Sequence, residues 1–212
     1  MLDLAGRGER EEIAVRIADG VERVLPLLRK DRLASLPLAH LVETVELPRR
    51  RLTEQDVAEA LRQAGPWREK YEALKAEIEA DPSLRDKPRW YVDVTRAYRR
   101  MQWHQAVAER FQQQKTRPAL LADVHVVRLG ELAFATNPFE YFLDFGVQIQ
   151  ARSPAVQTFV VQLAGPGSYV PTERAIAGQG YGAVPASTPI GPDGGRALAE
   201  RTIELLHRLW RT

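Results

Sequence analysis

The feature that most constrains the fold of this chain is a change of sequence pattern near Ala122. Before this point apolar residues recur mostly at helical spacing, and after it β-branched residues occur in short runs typical of strands. Strands and amphipathic helices in one chain bury their apolar sides by packing in layers. We therefore predict an α/β (α+β) fold, a mixed sheet flanked by helices. Its two parts are a mainly helical segment over residues 1–122 and a strand–helix–strand–loop–helix unit over residues 123–212.

Residues 67–115 carry the longest helical signal, which is interrupted at Asp81 and Pro82. Two helices joined by such a break predict an antiparallel helical hairpin. We expect the aromatic residues of the hairpin to pack it onto itself and onto the rest of the chain, and a surface for a partner protein is the alternative. These aromatic residues are Trp67, Tyr71, Trp90, Tyr91, Tyr98 and Trp103.

Three shorter elements precede the hairpin. Apolar spacing predicts a helix over residues 9–30, and alternation predicts a half-buried strand over residues 41–47. Thr53 is a hydroxyl N-cap followed by acidic residues, so a further helix is predicted to begin there. Gly65 and Pro66 are predicted to end it, because proline lacks the N–H that a helix interior needs.

Residues 123–212 predict an ordered series of elements around one Gly- and Pro-rich loop. In chain order they are a strand at 124–129, a turn at Gly130, a strand at 131–136, a helix at 138–152, a buried strand at 158–163, the loop, and a final amphipathic helix at 196–210.

The composition excludes several classes of protein. Lys and Arg total 30 while Asp and Glu total 28, and this near balance gives no reason to expect a nucleic acid as partner. The lack of Cys excludes disulfides, thiolate metal sites and cysteine nucleophiles. No apolar stretch in the sequence reaches the roughly 18 residues of a membrane span. Residues 1–10 lack the apolar region of a signal peptide, and we expect a cytoplasmic protein from the sequence as written.

Common catalytic motifs do not occur in the sequence. No two histidines have the spacing of a zinc-binding helix with an adjacent Glu; the four are His40, His104, His125 and His207. We expect His104 to be a packing or surface residue on a helix, and His125 to face away from its apolar strand neighbours. The sequence also lacks the G-x-S-x-G nucleophile elbow and the phosphate-binding loop of nucleotide hydrolases.

Two residues keep a candidate chemical role. Glu140 lies in the segment NPFEYFLDFG of residues 137–146, after a strand-like run and at a predicted helix start. Tyr169 follows a predicted buried strand and a Gly-Pro-Gly turn. Strand ends meet at one edge of an α/β layer, and a carboxylate and a phenol placed there can bind a cation or move protons. A solvated glutamate at a helix start is the alternative for Glu140.

Several segments of the second half, taken in order, resemble the neutral ceramidase family and its bacterial relatives. Residues 138–146, PFEYFLDFG, are similar to the P-G-E-P-F-x-E-x-G segment of that family. Residues 127–133, VRLGELA, are similar to its "lRiGdvai" strand pair, and residues 158–164, TFVVQLA, to its "TfVvgLAN" run. Residues 169–173, YVPTE, resemble its "GY(I/V)PTpeaY" stretch.

The resemblance implies a zinc-dependent amidase that cuts the N-acyl bond of ceramide. The family holds its zinc with two His, one Glu and one Tyr, and a metal-bound water attacks the amide carbonyl. Glu140 corresponds to the ligand Glu and Tyr169 to the ligand Tyr, whose oxygen also lies near the developing oxyanion. Zinc in such enzymes lowers the pKa of its water to roughly 7.

The sequence also departs from this family. Both His ligands of the family lie N-terminal to every segment matched here, and three protein ligands are the norm in catalytic zinc sites. Phe139 replaces a small residue before the ligand Glu and is expected to crowd the site, and Gly182 replaces an acid. We therefore interpret the chain as the C-terminal part of a ceramidase-like zinc amidohydrolase. Zinc would then need His ligands from a missing N-terminal half or from a partner chain.

Two alternatives stay open at this point. The first is a non-catalytic derivative that acts as a protein-interaction module through the aromatic hairpin of residues 67–115. The second is a homo-oligomer in which a neighbouring copy donates His104 or His125 to the zinc.

Overall fold

In a computed structural model of the chain, the structure describes Gly6, residues 8–29 and residues 33–211. Most of residues 1–10, the stretch judged not to be a signal peptide, lies outside these ranges. The chain divides into two compact units, Met1–Pro37 and Leu38–Thr212. The change of pattern near Ala122 falls inside the second unit, and the division into residues 1–122 and 123–212 stays a prediction.

The first unit contains helix α1, Glu9–Leu28, which confirms the predicted helix. Glu9, Glu11 and Glu12 occupy its first turn, where carboxylates interact favourably with the helix dipole. Across the described ranges of both units, no helix combines the length and the apolar character that crossing a membrane requires.

The second unit is built on a four-stranded mixed sheet. Its strands are β1 (Leu38–Pro48), β2 (Ala119–Leu129), β3 (Leu132–Thr136) and β5 (Gln157–Val161), in the spatial order β1-β2-β3-β5. The first three strands pair antiparallel, and β5 pairs parallel to β3. Gly130, at φ +63°, makes the predicted turn between β2 and β3. The mixed sheet with helices confirms the predicted α/β class.

One expectation about this sheet was wrong. The strand near residues 158–163 was predicted to be buried, but β5 is an edge strand and Phe159 on it is 44% exposed. The outward side chains Phe159 and Val161 of β5 are apolar although they are exposed, so the strand has the apolar run of one that is buried on both faces. The short apolar run of β5 therefore did not distinguish a central strand from an edge strand.

Two long antiparallel helices confirm the predicted hairpin. Helix α2, Glu54–Ala80, is followed by a 3-10 turn, Pro82–Asp86, and by helix α3, Tyr91–Gln113. Thr53 caps α2 as predicted, and with Asp56 it forms a reciprocal capping box.

The predicted break at Gly65 and Pro66 was wrong, because α2 runs straight through both residues. Proline inside a helix costs about 3 kcal/mol. Packing of α2 against α3, with Ala60 and Ala64 buried, offsets this cost.

Helices α4 (Leu143–Arg152) and α6 (Pro192–Leu209) cover one face of the sheet, and a short helix α5 spans Glu173–Ala177. Helix α6 begins four residues earlier than predicted, with Pro192 in its first turn, a position that proline favours. The core lies between these helices and the inward residues of the strands. Its largest fully buried side chains include Leu47, Val124, Val126, Phe139, Ile149, Leu198 and Leu206.

The outward face of the sheet carries large apolar side chains that the described part of the second unit leaves exposed. They are Leu38, Val42, Leu121, Leu129, Leu132, Phe159 and Val161. Exposed apolar patches of this kind are typical of surfaces that contact other chains or segments.

The helix predicted from residue 138 was wrong at its start. Residues 140 and 141 form a short strand, β4 (Glu140–Tyr141), which pairs parallel with β6 (Tyr169–Val170), and α4 begins only at Leu143. The Glu140 N–H donates to the Ser168 carbonyl at 3.1 Å, so it is not available for a helix. Glu140 therefore lies in a strand, and not at a helix start.

Candidate functional site at the β4–β6 pair

Glu140 and Tyr169, the two residues singled out from the sequence, are direct partners in the β4–β6 ladder. The parallel register places their Cα atoms opposite each other, so their side chains leave the same face of the small sheet. Both side chains are half-buried. The structure thus brings together the carboxylate and the phenol that sequence reasoning placed at one edge.

The Glu140 carboxylate and the Tyr169 hydroxyl interact directly. Hydrogen bonding to Glu140 raises the pKa of the Tyr169 phenol, and desolvation and the charges of Glu140 and Tyr181 raise it further. Tyr169 therefore keeps its proton at neutral pH and donates a hydrogen bond to the carboxylate. In this state the pair holds one anionic oxygen group next to one hydroxyl donor.

A buried asparagine anchors the segment that carries Glu140. The Asn137 side-chain oxygen accepts from the Phe139 N–H at 2.9 Å, and the Asn137 N–H donates to the Val161 carbonyl at 3.0 Å. Farther along, the Tyr141 N–H donates to the Gln162 side-chain oxygen at 2.8 Å. These bonds satisfy backbone groups on both sides of Glu140 and hold its position against the end of β5.

Close approach of two backbones explains the Gly-Pro-Gly turn before Tyr169. A Cβ atom on Gly167 would lie 1.8 Å from the Pro138 carbonyl oxygen and 2.8 Å from the Phe139 Cα. Only glycine allows residues 165–168 to pass this close to the start of β4.

Phe139 does not crowd the site, contrary to the expectation from the sequence. It is 2% exposed and belongs to the main core, as does Tyr141 on the other side of Glu140. Alternation along the strand sends Phe139 and Tyr141 inward and leaves Glu140 on the opposite face. Burial also raises the pKa of Tyr141 well above its ordinary value, so this phenol is a structural group.

Gly182 lies directly against the candidate site. A Cβ atom there would lie 2.9 Å from Cδ1 of Tyr169 and 3.1 Å from Cε1 of Phe142. The short 3-10 turn Tyr181–Ala183 packs on the Tyr169 ring because this position has no side chain. An acid at position 182 would not fit without a shift of Tyr169.

A series of ring contacts links the site to the helical hairpin. Tyr169 contacts Tyr181 edge to face at 5.8 Å between ring centroids, and Tyr181 stacks on Trp103 of α3 at 5.5 Å. The guanidinium of Arg100 lies over both Trp103 and Tyr181, at 5.2 and 5.8 Å from their ring centroids. Sequence reasoning did not single out Tyr181 and Trp103 for the site; their contact depends on tertiary packing.

Two arginines fix the loop that carries Tyr181. Arg50 donates to the Ala183 carbonyl at 2.6 Å, and Arg110 donates to the carbonyls of Pro185 and Ala186 at 2.8 and 3.2 Å. Desolvation, together with the charges of Arg50 and Arg49, lowers the pKa of Arg110 to about 10. Two half-buried charged donors thus hold the loop, Arg110 from α3 and Arg50 from the segment after β1.

The histidines lie apart from Glu140 and Tyr169. His40 and His125 stack on each other across β1 and β2, with 3.1 Å between Nε2 and Nδ1, and His207 contacts the Arg152 carbonyl. His104 is buried beside Trp103, as a packing residue would be.

Among the residues that the structure describes, no three His, Cys, Asp or Glu side chains are placed to hold a metal ion together. Glu140 and Tyr169 are oxygen donors of the kind that zinc accepts, but a catalytic zinc site needs three protein ligands. The described part of this chain therefore fits a zinc ion only in part.

Comparisons with known proteins give little further information. No protein-family model matches the chain, and no curated protein matches it. A solved structure described as "Ceramidase complexed with C2" aligns with 44% of this chain at 21% identity and a TM-score of 0.37. The aligned part covers 15% of that ceramidase chain. A superposition at this level does not establish a common fold, and membership of the neutral ceramidase family stays a prediction.

Proposed function

We propose that this chain is the C-terminal part of a ceramidase-like, zinc-dependent amidohydrolase. In this proposal Glu140 and Tyr169 supply two oxygen ligands, and His residues from a missing N-terminal half or a partner chain complete the site. The register of β4 and β6 carries the proposal, because it sets the carboxylate directly opposite the phenol. The resemblance of residues 138–146 and 169–173 to ceramidase segments suggested the same two residues from the sequence.

The two side chains have distinct roles in this proposal. A zinc ion at this site would polarise the amide carbonyl and lower the pKa of a bound water. Glu140 would hold negative charge at the site and orient the Tyr169 hydroxyl, as it does in the hydrogen-bonded pair. Tyr169 would place its oxygen beside the ion and near oxygen charge that develops on the substrate, while Glu140 holds its single O–H proton.

The open face of the sheet is a second feature that favours a missing segment. Exposed apolar residues follow β5 and continue just past its end: Phe159, Val161 and, after the strand, Leu163 are 44, 41 and 57% exposed. The Leu163 N–H donates to the Phe139 carbonyl at 3.3 Å, one residue before Glu140. A segment that covers this part of the face would therefore pass close to the chain that carries Glu140.

The test presents zinc as its 2,2′-bipyridine complex, whose two nitrogens stand in for the two His ligands. Binding to the full chain is followed by isothermal titration calorimetry. We expect the wild type to bind the complex, and Glu140→Gln and Tyr169→Phe to bind it at least about tenfold more weakly, a typical loss for a metal site that loses one of its supporting groups.

Tyr181→Phe is the matched control, because Tyr181 contacts the Tyr169 ring but is not assigned as a ligand. This variant should bind the complex as the wild type does. Equal binding by the wild type and Glu140→Gln, or no binding by the wild type, would contradict the assignment.

A second candidate function is an interaction module on the hairpin. Trp90, Tyr91 and Tyr98 are 39, 54 and 44% exposed, so these three aromatic side chains of the hairpin keep a large part of their surface open. Replacement of all three by Ser in the full chain should then abolish self-association or partner capture while the fold is retained. Unchanged association and unchanged partners would contradict this alternative.

A further inference from the structure

A groove lies between helices α2 and α3 and the loop that carries Tyr181. Its volume is about 890 Å³, within the size range of small-molecule sites. The residues that carry the argument below line it: Arg50, Asp56, Glu59, Trp103, His104 and Tyr181. Neither Glu140 nor Tyr169 lines the groove, and the turn Tyr181–Ala183, which packs on the Tyr169 ring, lies between the groove and that pair.

His104 is a buried polar side chain that contacts the Trp103 ring but has no hydrogen-bond partner among the described residues. It is 7% exposed, and within the described ranges its ring makes no hydrogen bond. In the described part of the protein, every side-chain nitrogen or oxygen that is fully buried has a hydrogen-bond partner. The ring nitrogens of His104 have none, so they keep some solvent-accessible surface. Because His104 lines the groove, an imidazole nitrogen is available there for a ligand.

His104 is also in its neutral form near pH 7. Burial lowers the pKa of the imidazole, the charge of Arg100 lowers it further, and Glu59 opposes these effects in part. A neutral imidazole has one donor and one acceptor nitrogen, and it forms a hydrogen bond with a ligand hydroxyl in either tautomer.

The two carboxylates of the groove already have partners. Asp56 accepts from the N–H and the hydroxyl of Thr53. Glu59 accepts from Arg62 at 2.6 and 2.9 Å and from Gln63. These interactions occupy both carboxylates and reduce their attraction for a cationic ligand.

Arg50 is the charged group that is left over. In the part of the chain that the structure describes, no carboxylate lies within ion-pair distance of Arg50, and the one hydrogen bond of its guanidinium goes to the Ala183 carbonyl. Burial lowers the pKa of Arg50, and the more distant charge of Asp56 opposes this effect only in part. Arg49 and Arg110 add positive charge nearby, as the lowered pKa of Arg110 shows. A guanidinium with free N–H groups binds a carboxylate with two parallel hydrogen bonds.

An apolar wall completes the groove. Trp103 and Tyr181 stack with 23° between their planes, and Tyr181 is 58% exposed. Flat aromatic surfaces of this kind bind planar rings by offset or edge contacts.

We propose that this groove is a binding site for a small aromatic carboxylate that carries a polar group at its far end. The ring packs on the Trp103–Tyr181 wall, the carboxylate binds Arg50, and the polar group forms a hydrogen bond with His104. This ligand site is additional to the proposed zinc site and does not depend on it.

The test uses three probes with the same hydroxylated ring and different ends: 4-hydroxyphenylacetate is an anion, tyrosol is neutral and tyramine is a cation. Binding to the full chain is measured from chemical-shift changes in ¹H–¹⁵N NMR spectra. We expect 4-hydroxyphenylacetate to bind at least about tenfold more tightly than the other two, because only the anion can form charge-assisted hydrogen bonds with Arg50. Equal affinity for the three probes, or no binding of the anion, would overturn the proposal.

Variants assign each contact to its residue. Arg50→Gln should remove the preference for the anion, and Arg50→Lys, which keeps the charge, should retain most of it. His104→Leu should weaken the binding of 4-hydroxyphenylacetate by a larger factor than the binding of phenylacetate, which lacks the hydroxyl. A preference for the anion that survives Arg50→Gln in a folded variant would overturn the assignment of Arg50.

Trp103→Leu should weaken the binding of all three probes. Trp90 is an aromatic residue of the same hairpin outside the groove, so Trp90→Leu should leave the three affinities unchanged. The dispersion of the NMR spectrum shows whether each variant is folded. Binding that does not respond to Trp103→Leu would place the probes elsewhere and would contradict the site.

Discussion

Glu140 and Tyr169 are cross-strand partners in a parallel ladder of two residues per strand, and the carboxylate accepts a hydrogen bond from the phenol. So short a ladder has little stability of its own. Its position depends on the neighbours that hold both strands: the end of β5, the buried Asn137 and the turn Tyr181–Ala183. The candidate site is thus a product of packing among segments that are distant in the sequence.

The first prediction concerns Gly167. Gly167→Ala places a methyl group 1.8 Å from the Pro138 carbonyl oxygen, so β6 must move away from β4. We expect the free energy of unfolding to fall by about 2–4 kcal/mol, as for other steric conflicts in tightly packed backbone. Urea unfolding measures the change.

Gly180→Ala is the control for Gly167→Ala, because a Cβ at position 180 meets no atom within 4 Å. It should change stability by less than about 0.5 kcal/mol. Equal effects of the two substitutions would contradict the packing argument.

The second prediction concerns the ionisation of Tyr169. Glu140→Gln removes the negative charge and the strongest acceptor of the phenol, so the pKa of Tyr169 should fall toward the ordinary tyrosine value of about 10. Titration of ¹³C-labelled tyrosine by NMR measures this pKa in the wild type and the variant. A Tyr169 pKa that is the same in both proteins would show that Glu140 does not interact with the phenol.

The same pair gives a direction for the pH dependence of stability. The folded protein holds the Tyr169 proton more tightly than the unfolded chain does, so it binds more protons above the unfolded pKa of about 10. The contribution of the pair is therefore complete below that pH and is lost as the pH rises through the folded pKa. In Glu140→Gln the loss of stability that this pair causes at alkaline pH should be smaller.

The third prediction concerns Pro66, which lies inside α2 where an N–H is needed. Pro66→Ala restores a hydrogen bond of the helix, and we expect the free energy of unfolding to rise by about 1–3 kcal/mol. Thermal unfolding measures the change.

Pro192→Ala in the first turn of α6 is the matched control for Pro66→Ala, since a proline there replaces an N–H that has no partner within the helix. It should not raise stability. A stabilisation of equal size at both positions would show that the helix interior at Pro66 is not strained.

The fourth prediction concerns Arg110. Arg110→Met keeps the length of the side chain but removes the donors to the carbonyls of Pro185 and Ala186. We expect a loss of about 1–3 kcal/mol from unpaired backbone carbonyls, partly offset by removal of a poorly solvated charge. Faster amide exchange in residues 183–187 should accompany this loss.

Arg99→Met, an exposed position on the same helix, should leave both stability and exchange unchanged. Unchanged exchange in Arg110→Met would mean that Arg110 does not hold the loop.

Patterns that depend on neighbouring residues were predicted well from the sequence. The strand pair around Gly130, the N-cap at Thr53 and the hairpin turn after Asp81 all lie where the sequence indicates them. Each is set by interactions within a few residues: a positive φ, a side chain that caps a helix end, or a proline after a helix end. The candidate residues Glu140 and Tyr169 were found in the same way, as polar residues next to strand-like runs.

The arrangement of the candidate site was decided by tertiary structure. The residues after Pro138 form a strand because the Glu140 N–H donates to Ser168, 28 positions along the chain, and α2 continues through Pro66 because α3 packs along it. The stacking of Tyr181 on Trp103 likewise joins a loop to a distant helix. Local preferences are worth about 1 kcal/mol per residue, and hydrogen bonds and packing between distant segments exceed them when many act together. Sequence periodicity therefore gives the kind and order of the elements, whereas contacts between segments far apart in the chain decide which side chains face one another.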